Sequence, residues 1–215
     1  MVRKVHISIV LDRSGSMEAC RNDAVAAVNS YLRKVQDDPR MDARISIVLF
    51  DSQSIDTIRD RVCAAECAEL TADEYEPRGA TPLLDAVGYC ISIHDCVSPR
   101  DERRIMAIMT DGLENASREF NREQLRGLLD HKRKHDGWLI LYLGSGHDSW
   151  TQASEIGIAA GHTADFSINA LADTADVLHV VGSRFVAAPP GRAAMDAGRF
   201  TPLERGRMRG GQARN

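Results

Sequence analysis

The chain has 215 residues, 43% of them hydrophobic and 27% charged, with a formal net charge of -4. That length suits one α/β domain of roughly 180–190 residues plus a tail, and the composition is that of an ordinary folded protein. The mild negative charge argues against a general nucleic-acid binder, and no stretch approaches the ~20 apolar residues of a membrane span.

Residues 5–11 form an apolar, β-branched run that reads as a first strand; the run is too short for the core of a secretory leader with its cleavage site. Asp12-Arg13-Ser14-Gly15-Ser16 breaks it. Ala24, Val25, Val28, Leu32 and Val35 then recur at spacings of three and four, which predicts a helix closed by Pro39. Residues 43–50 read as a second strand. A turn at 51–53 leads into an alternating segment, 54–62, that suits an edge strand wetted on one face.

Residues 63–78 are irregular. A helix is expected over 83–96, a buried strand over 103–110, and a helix over 122–135 whose last turn is basic, as the negative end of a helix dipole favours. A strand over 138–143, punctuated at Gly144-Ser145-Gly146, is followed by helices over 149–160 and 169–187 with a short strand at 164–167 between them. From Pro189 on, six arginines stand against Asp196 and Glu204 with no clear periodicity, so 189–215 reads as a flexible Arg/Gly-rich tail after a domain spanning 1–188.

Helices alternating with apolar strands predict a Rossmann-like, doubly wound α/β fold. Its six-stranded sheet is mostly parallel, of order 3-2-1-4-5-6, with one antiparallel edge strand and helices on both faces. In that order the first and fourth strands are neighbours, and a crevice opens at their carboxyl ends. Asp12 follows the first strand and Asp111 the fourth. Two carboxylates in one crevice are costly without a cation between them. Ser14, Ser16 and Thr81 add three hydroxyls, and Gly15 permits close backbone approach. An all-oxygen set selects a hard cation, and the small number of carboxylates leaves room for water, favouring Mg²⁺ or Mn²⁺ over Ca²⁺. A divalent ion so little neutralised stays electrophilic and keeps a position open for an incoming carboxylate.

Three segments carry a resemblance. Asp12-Arg13-Ser14-Gly15-Ser16 resembles the Asp-x-Ser-x-Ser of the metal-ion-dependent adhesion site in von Willebrand factor A (VWA) domains. Arg78-Gly79-Ala80-Thr81-Pro82-Leu83 resembles the family's second loop with its coordinating threonine, and Met109-Thr110-Asp111-Gly112 its third loop. The match in order of elements covers about residues 5–167, and residues 142–148 resemble the strand exit of bacterial cytoplasmic members. Ala80 stands where many relatives have a second glycine, and the segment after 188 has no counterpart in the family. The resemblance implies a Mg²⁺ or Mn²⁺ site at Asp12, Ser14, Ser16, Thr81 and Asp111, and partner binding rather than catalysis. The partner would supply an Asp or Glu; bacterial relatives often work beside kinases, phosphatases, ATPases or stress-response proteins.

Plainer readings exist for each motif alone. Asp12 and Ser16 suit loop and N-cap positions, and Thr81 before Pro82 is a good helix start. Three motifs in chain order, each at a strand exit or helix start, favour the metal site. Two other functions stay open. One is a Mg²⁺-dependent phosphoesterase or phosphotransferase with Asp12 as nucleophile, although Ser14 occupies the position where such enzymes place their general acid. The other is a nucleic-acid accessory protein using the basic tail. Cys63 and Cys67 lack a second ligand pair for zinc, His147-Asp148 reads as structural, Gly144-Ser145-Gly146 lacks the spacing of a nucleophile elbow, and His131 and His135 read as solvated. The odd cysteine count (Cys20, Cys63, Cys67, Cys90, Cys96) follows no disulfide framework and suggests reduced thiols in a cytoplasm.

Overall fold

Each apolar run becomes a strand, and each 3.6-periodic segment becomes a helix that covers the sheet. The computed structural model describes residues 2–95, 101–145 and 148–211, so Cys96, Gly146, His147 and residues 212–215 lie outside the described residues. In chain order the elements are β1 (Arg3–Asp12), α1 (Arg21–Gln36), β2 (Met41–Phe50), β3 (Ile55–Cys63), α2 (Leu83–Asp95), β4 (Arg103–Thr110), α3 (Arg122–Lys134), β5 (Leu139–Gly144), α4 (Ser149–Glu155), β6 (Thr163–Asp165), α5 (Leu171–Ala187), α6 (Arg192–Ala197) and α7 (Pro202–Met208).

The sheet order is β3-β2-β1-β4-β5-β6. All pairings are parallel except β2 with β3, which is antiparallel and irregular around Ile47. This is the expected doubly wound sheet with its single antiparallel edge. Alternation along β1 sorts side chains to two faces. Ile7, Ile9 and Leu11 join the apolar layer under α1 and α5, whereas Val10 packs with Val48, Phe50 and Ile108 under α2, α3 and α4. The chain leaves β1 for one face and β4 for the other, which opens the crevice at their carboxyl ends.

Differences from expectation have local causes. The first metal-loop segment continues as a 3-10 turn, Gly15–Cys20, before α1 begins. Helix α4 ends at Glu155 rather than near 160, because Gly157 takes a left-handed conformation (φ 83°). Cys63 and Cys67 are free thiols, as are Cys20 and Cys90, and among the described residues no group of three His, Cys, Asp or Glu side chains is placed to hold a metal. His131 and His135 are exposed, but Lys132 between them is buried, held by Asp95 and Asp136 and lying 5.7 Å from the centre of the Trp138 ring.

The reading of 189–215 as a flexible tail is corrected over its described part. Helices α6 and α7 fold back on α5 and β6, burying Ala194, Phe200 and Met208. Arg184 of α5 reaches Glu204 at 2.6 and 3.1 Å and the carbonyls of Ala197 and Arg199. Arg207 pairs with Asp173, and Arg209 with Asp165. Arg192 and Arg199 share Asp196 of the segment itself, and Arg205 donates to the carbonyls of Thr163 and Ala160. Thr201 caps α7 with Glu204 answering it, and Pro202 stands in the first turn. Among the described residues no helix is long and apolar enough to cross a membrane.

Candidate metal centre

The end of β1 delivers Asp12 into the crevice fully buried. Its Oδ1 accepts the Ser14 N–H at 2.7 Å, and its Oδ2 accepts the Thr110 hydroxyl at 2.5 Å. These two bonds tie the exits of β1 and β4 together through one carboxylate. The Asp12 carbonyl accepts the Tyr75 hydroxyl at 2.5 Å. Ser16 donates to Asp111 Oδ1 at 2.6 Å, and the Ser14 and Ser16 hydroxyl oxygens lie 3.1 Å apart.

Thr81 enters from the loop before α2. Asn115 holds it on both sides: the Thr81 N–H donates to Asn115 Oδ1 at 2.8 Å, and the Asn115 N–H to the Thr81 carbonyl at 3.1 Å. Gly112 shows how closely the three loops converge. A Cβ at that position would lie 2.7 Å from Thr81 Oγ1 and 3.6 Å from both Asp12 Oδ2 and Ser16 Oγ. Oxygen atoms of the first and second loops therefore face one point in front of Gly112, and Asp111 of the third loop joins them through its bond from Ser16. The structure brings Asp12, Ser14, Ser16, Thr81 and Asp111 into a single connected cluster.

Burial pushes the Asp12 carboxyl up to about 6, the bonds from Thr110 and Ser14 oppose this, and the neighbouring Asp111 adds to it. The Cys20 thiol is pushed up to about 11, first by burial and then by Asp111, Asp23 and Asp12. Tyr75 is likewise raised, by burial and then by Asp12. A cation at the convergence point would relieve all three groups. The donor set fits a hard divalent ion: two carboxylates, three hydroxyls, and no sulfur or imidazole.

Several residues that build the site escaped the sequence reading. Arg13 and Asp51 follow β1 and β2 directly, and the register Asp12↔Phe50 sets them side by side. Arg13 reaches Asp51 at 2.8 Å and Asp56 at 2.7 Å, and Arg78 reaches the same Asp51 at 3.1 Å. Backbone bonds from Arg78 to Arg13 and from Gly15 to Gly79 bind the first two loops together. Gly79 needs its left-handed conformation (φ 65°), and a Cβ there would collide with Ser52. On the other side, Gln152 donates to the Gly112 carbonyl at 3.2 Å and accepts the Glu114 N–H at 2.6 Å. The Glu114 carboxylate in turn accepts the Leu84 N–H of α2. Thr110, adjacent to Asp111 at a strand exit, carried the one local signal for a further site residue.

No family model matches the chain, and no curated protein matches it. Solved structures do. Proximal thread matrix protein 1 from the mussel byssus matches at 15% identity over 83% of this chain and 48% of its own, with a TM-score of 0.60. A von Willebrand factor type A protein from Catenulispora acidiphila matches at 14% identity over 82% of this chain and 42% of its own, with a TM-score of 0.61. The manganese-loaded TRAP protein of Plasmodium vivax matches at 14% identity over 79% of this chain and 71% of its own, with a TM-score of 0.57. The chain spans about half the length of the first of these. At such identities the likeness is one of fold, and together with the 3-2-1-4-5-6 sheet it gives this chain a VWA-like fold.

Proposed function

We propose that the chain is a metal-dependent protein-binding module. Asp12, Ser14, Ser16, Thr81 and Asp111 hold one Mg²⁺ or Mn²⁺, directly or through water, and an Asp or Glu side chain of a partner protein completes the ion's shell. The observation that carries this reading is the convergence in front of Gly112, where oxygens of Asp12, Ser16 and Thr81 face one point and Asp111 is tied in through Ser16. The manganese of the Plasmodium vivax protein, which shares the fold, supports a divalent ion. The free thiols of Cys20, Cys63, Cys67 and Cys90 support a reducing, cytoplasmic setting. The partner is a kinase, phosphatase, ATPase or stress-response protein of the kind that bacterial relatives accompany.

Binding is favoured over turnover by the residue two positions after Asp12. Ser14 there shares a hydrogen bond with Ser16 and offers no carboxylic acid to a leaving group. Capture of partners on immobilised wild type and Asp12→Ala, each with Mg²⁺ and with EDTA, tests the proposal. A partner retained only by wild type with Mg²⁺, and lost when its own contacting Asp or Glu is replaced, is the expected result. Capture indifferent to both EDTA and Asp12→Ala contradicts it.

A further inference from the structure

Leu113 follows Gly112 directly, so its Cα lies about 3.8 Å from the glycine in front of which the loop oxygens converge. The residue is 51% exposed. A single exposed leucine is ordinary on a protein surface. This one differs in how firmly it is held and in what surrounds it.

The Gln152 side chain of α4 clamps the backbone on both sides of Leu113. Its amide nitrogen donates to the Gly112 carbonyl at 3.2 Å, and its amide oxygen accepts the Glu114 N–H at 2.6 Å. Gln152 is itself buried, and it donates to the hydroxyl of the buried Tyr142 on β5 at 2.5 Å. Beyond Leu113 the loop stays tied down. The Glu114 carboxylate accepts the N–H groups of Leu84, Ala116 and Ser117, and Asn115 brackets Thr81. Moving Leu113 out of place therefore means breaking hydrogen bonds to a buried amide, which is costly.

The surface beside the metal ligands is also poor in charge. Gly15 and Ser16 of the first loop and Gly79 of the second are exposed, Ala80 is half-buried, and none of them carries a charge. The core of a protein interface has this character, with charge depleted around apolar anchors. An anchor fixed before the partner arrives loses little further freedom on binding, so more of its burial appears as affinity.

We propose that Leu113 is the apolar half of the partner-binding surface. The partner segment carries an Asp or Glu with a large apolar side chain within two residues of it: the acid meets the ion, and the apolar side chain packs on Leu113. The proposal rests on the metal reading of the same site and adds to it what selects one acidic segment over another.

Acetylated and amidated pentapeptides with a central Asp test it, one with serine at every flanking position and the others with leucine at each flanking position in turn. They are titrated calorimetrically into the Mg²⁺-loaded full chain, wild type and Leu113→Ser, and Mg²⁺ binding by each protein is measured separately. At least one leucine peptide should bind wild type at least about fivefold tighter than the serine peptide. Leu113→Ser should lose that preference while binding Mg²⁺ as wild type does and keeping its circular dichroism, since the replaced side chain is exposed. Equal affinity of all the peptides for Mg²⁺-loaded wild type, no binding of any at millimolar concentration, or a leucine preference that survives Leu113→Ser would each overturn the proposal and leave the metal reading standing. Failure of wild type to bind Mg²⁺ would remove the metal reading and this proposal with it.

Discussion

Asp12 carries more of the site than any other side chain. Its carboxylate links β1 to β4 through Thr110, organises the first loop through Ser14, and faces the point that Ser16 and Thr81 also approach. Its acidity is also the most informative quantity at this scale. The folded-state value is raised from the usual carboxyl range to about 6. A raised value means that the stability Asp12 contributes is present at acid pH and is lost as pH rises through about 6, at a cost of up to about 3 kcal/mol. A cation removes that penalty, and protons compete with it. Mg²⁺ should therefore raise the melting temperature more at about pH 7.5 than at about pH 5. Calorimetric melts with and without Mg²⁺ at the two pH values check this; an equal Mg²⁺ effect at both would contradict the role given to Asp12.

Residues of this kind were legible because chemistry and position coincide in the chain. Asp12, Ser14, Ser16, Thr81 and Asp111 each sit at a strand exit or a helix start. Arg13 and Asp51 were not, because their pairing exists only once β1 and β2 are in register. Asn115 and Gln152 act through backbone groups of loops whose path is a tertiary outcome.

At the scale of elements, the strands followed from β-branched apolar runs, and α1, α2, α3 and α5 from their periodicity. The two last helices did not. Helix α6 has six residues and α7 seven, which is too short for a 3.6-residue period to declare itself. Thr201-Pro202-Leu203-Glu204 was the local signal available, a capping box with proline at the first helical position. What anchors these helices is Arg184, which ties Glu204 and two carbonyls to α5. Arg184→Ala leaves Glu204 without its cation in a nearly buried place, and should lower unfolding stability by about 2 kcal/mol. Urea denaturation measures this, and limited proteolysis should show residues 192–211 cut faster. A variant as stable and as resistant as wild type would return the segment to the status of a loose tail.

At the scale of the whole molecule, the order 3-2-1-4-5-6 fixes where function can sit. Chain reversal between β1 and β4 opens one crevice at their carboxyl ends. In the basic segment after 188, Arg207 and Arg209 pair with acids of the domain that it covers, whereas Arg192 and Arg199 share Asp196 of the segment itself.

The central claim is a single divalent ion bound in front of Gly112, and titration of Mg²⁺ or Mn²⁺ into metal-free protein tests it most directly. Wild type should bind one ion. Asp12→Ala should lose that binding, and so should Gly112→Ala, whose methyl group would occupy the convergence point 2.7 Å from Thr81 Oγ1. Both variants should keep the circular dichroism of the fold. Binding unchanged in the two variants, or no binding of either ion to wild type at millimolar concentration, would contradict the account.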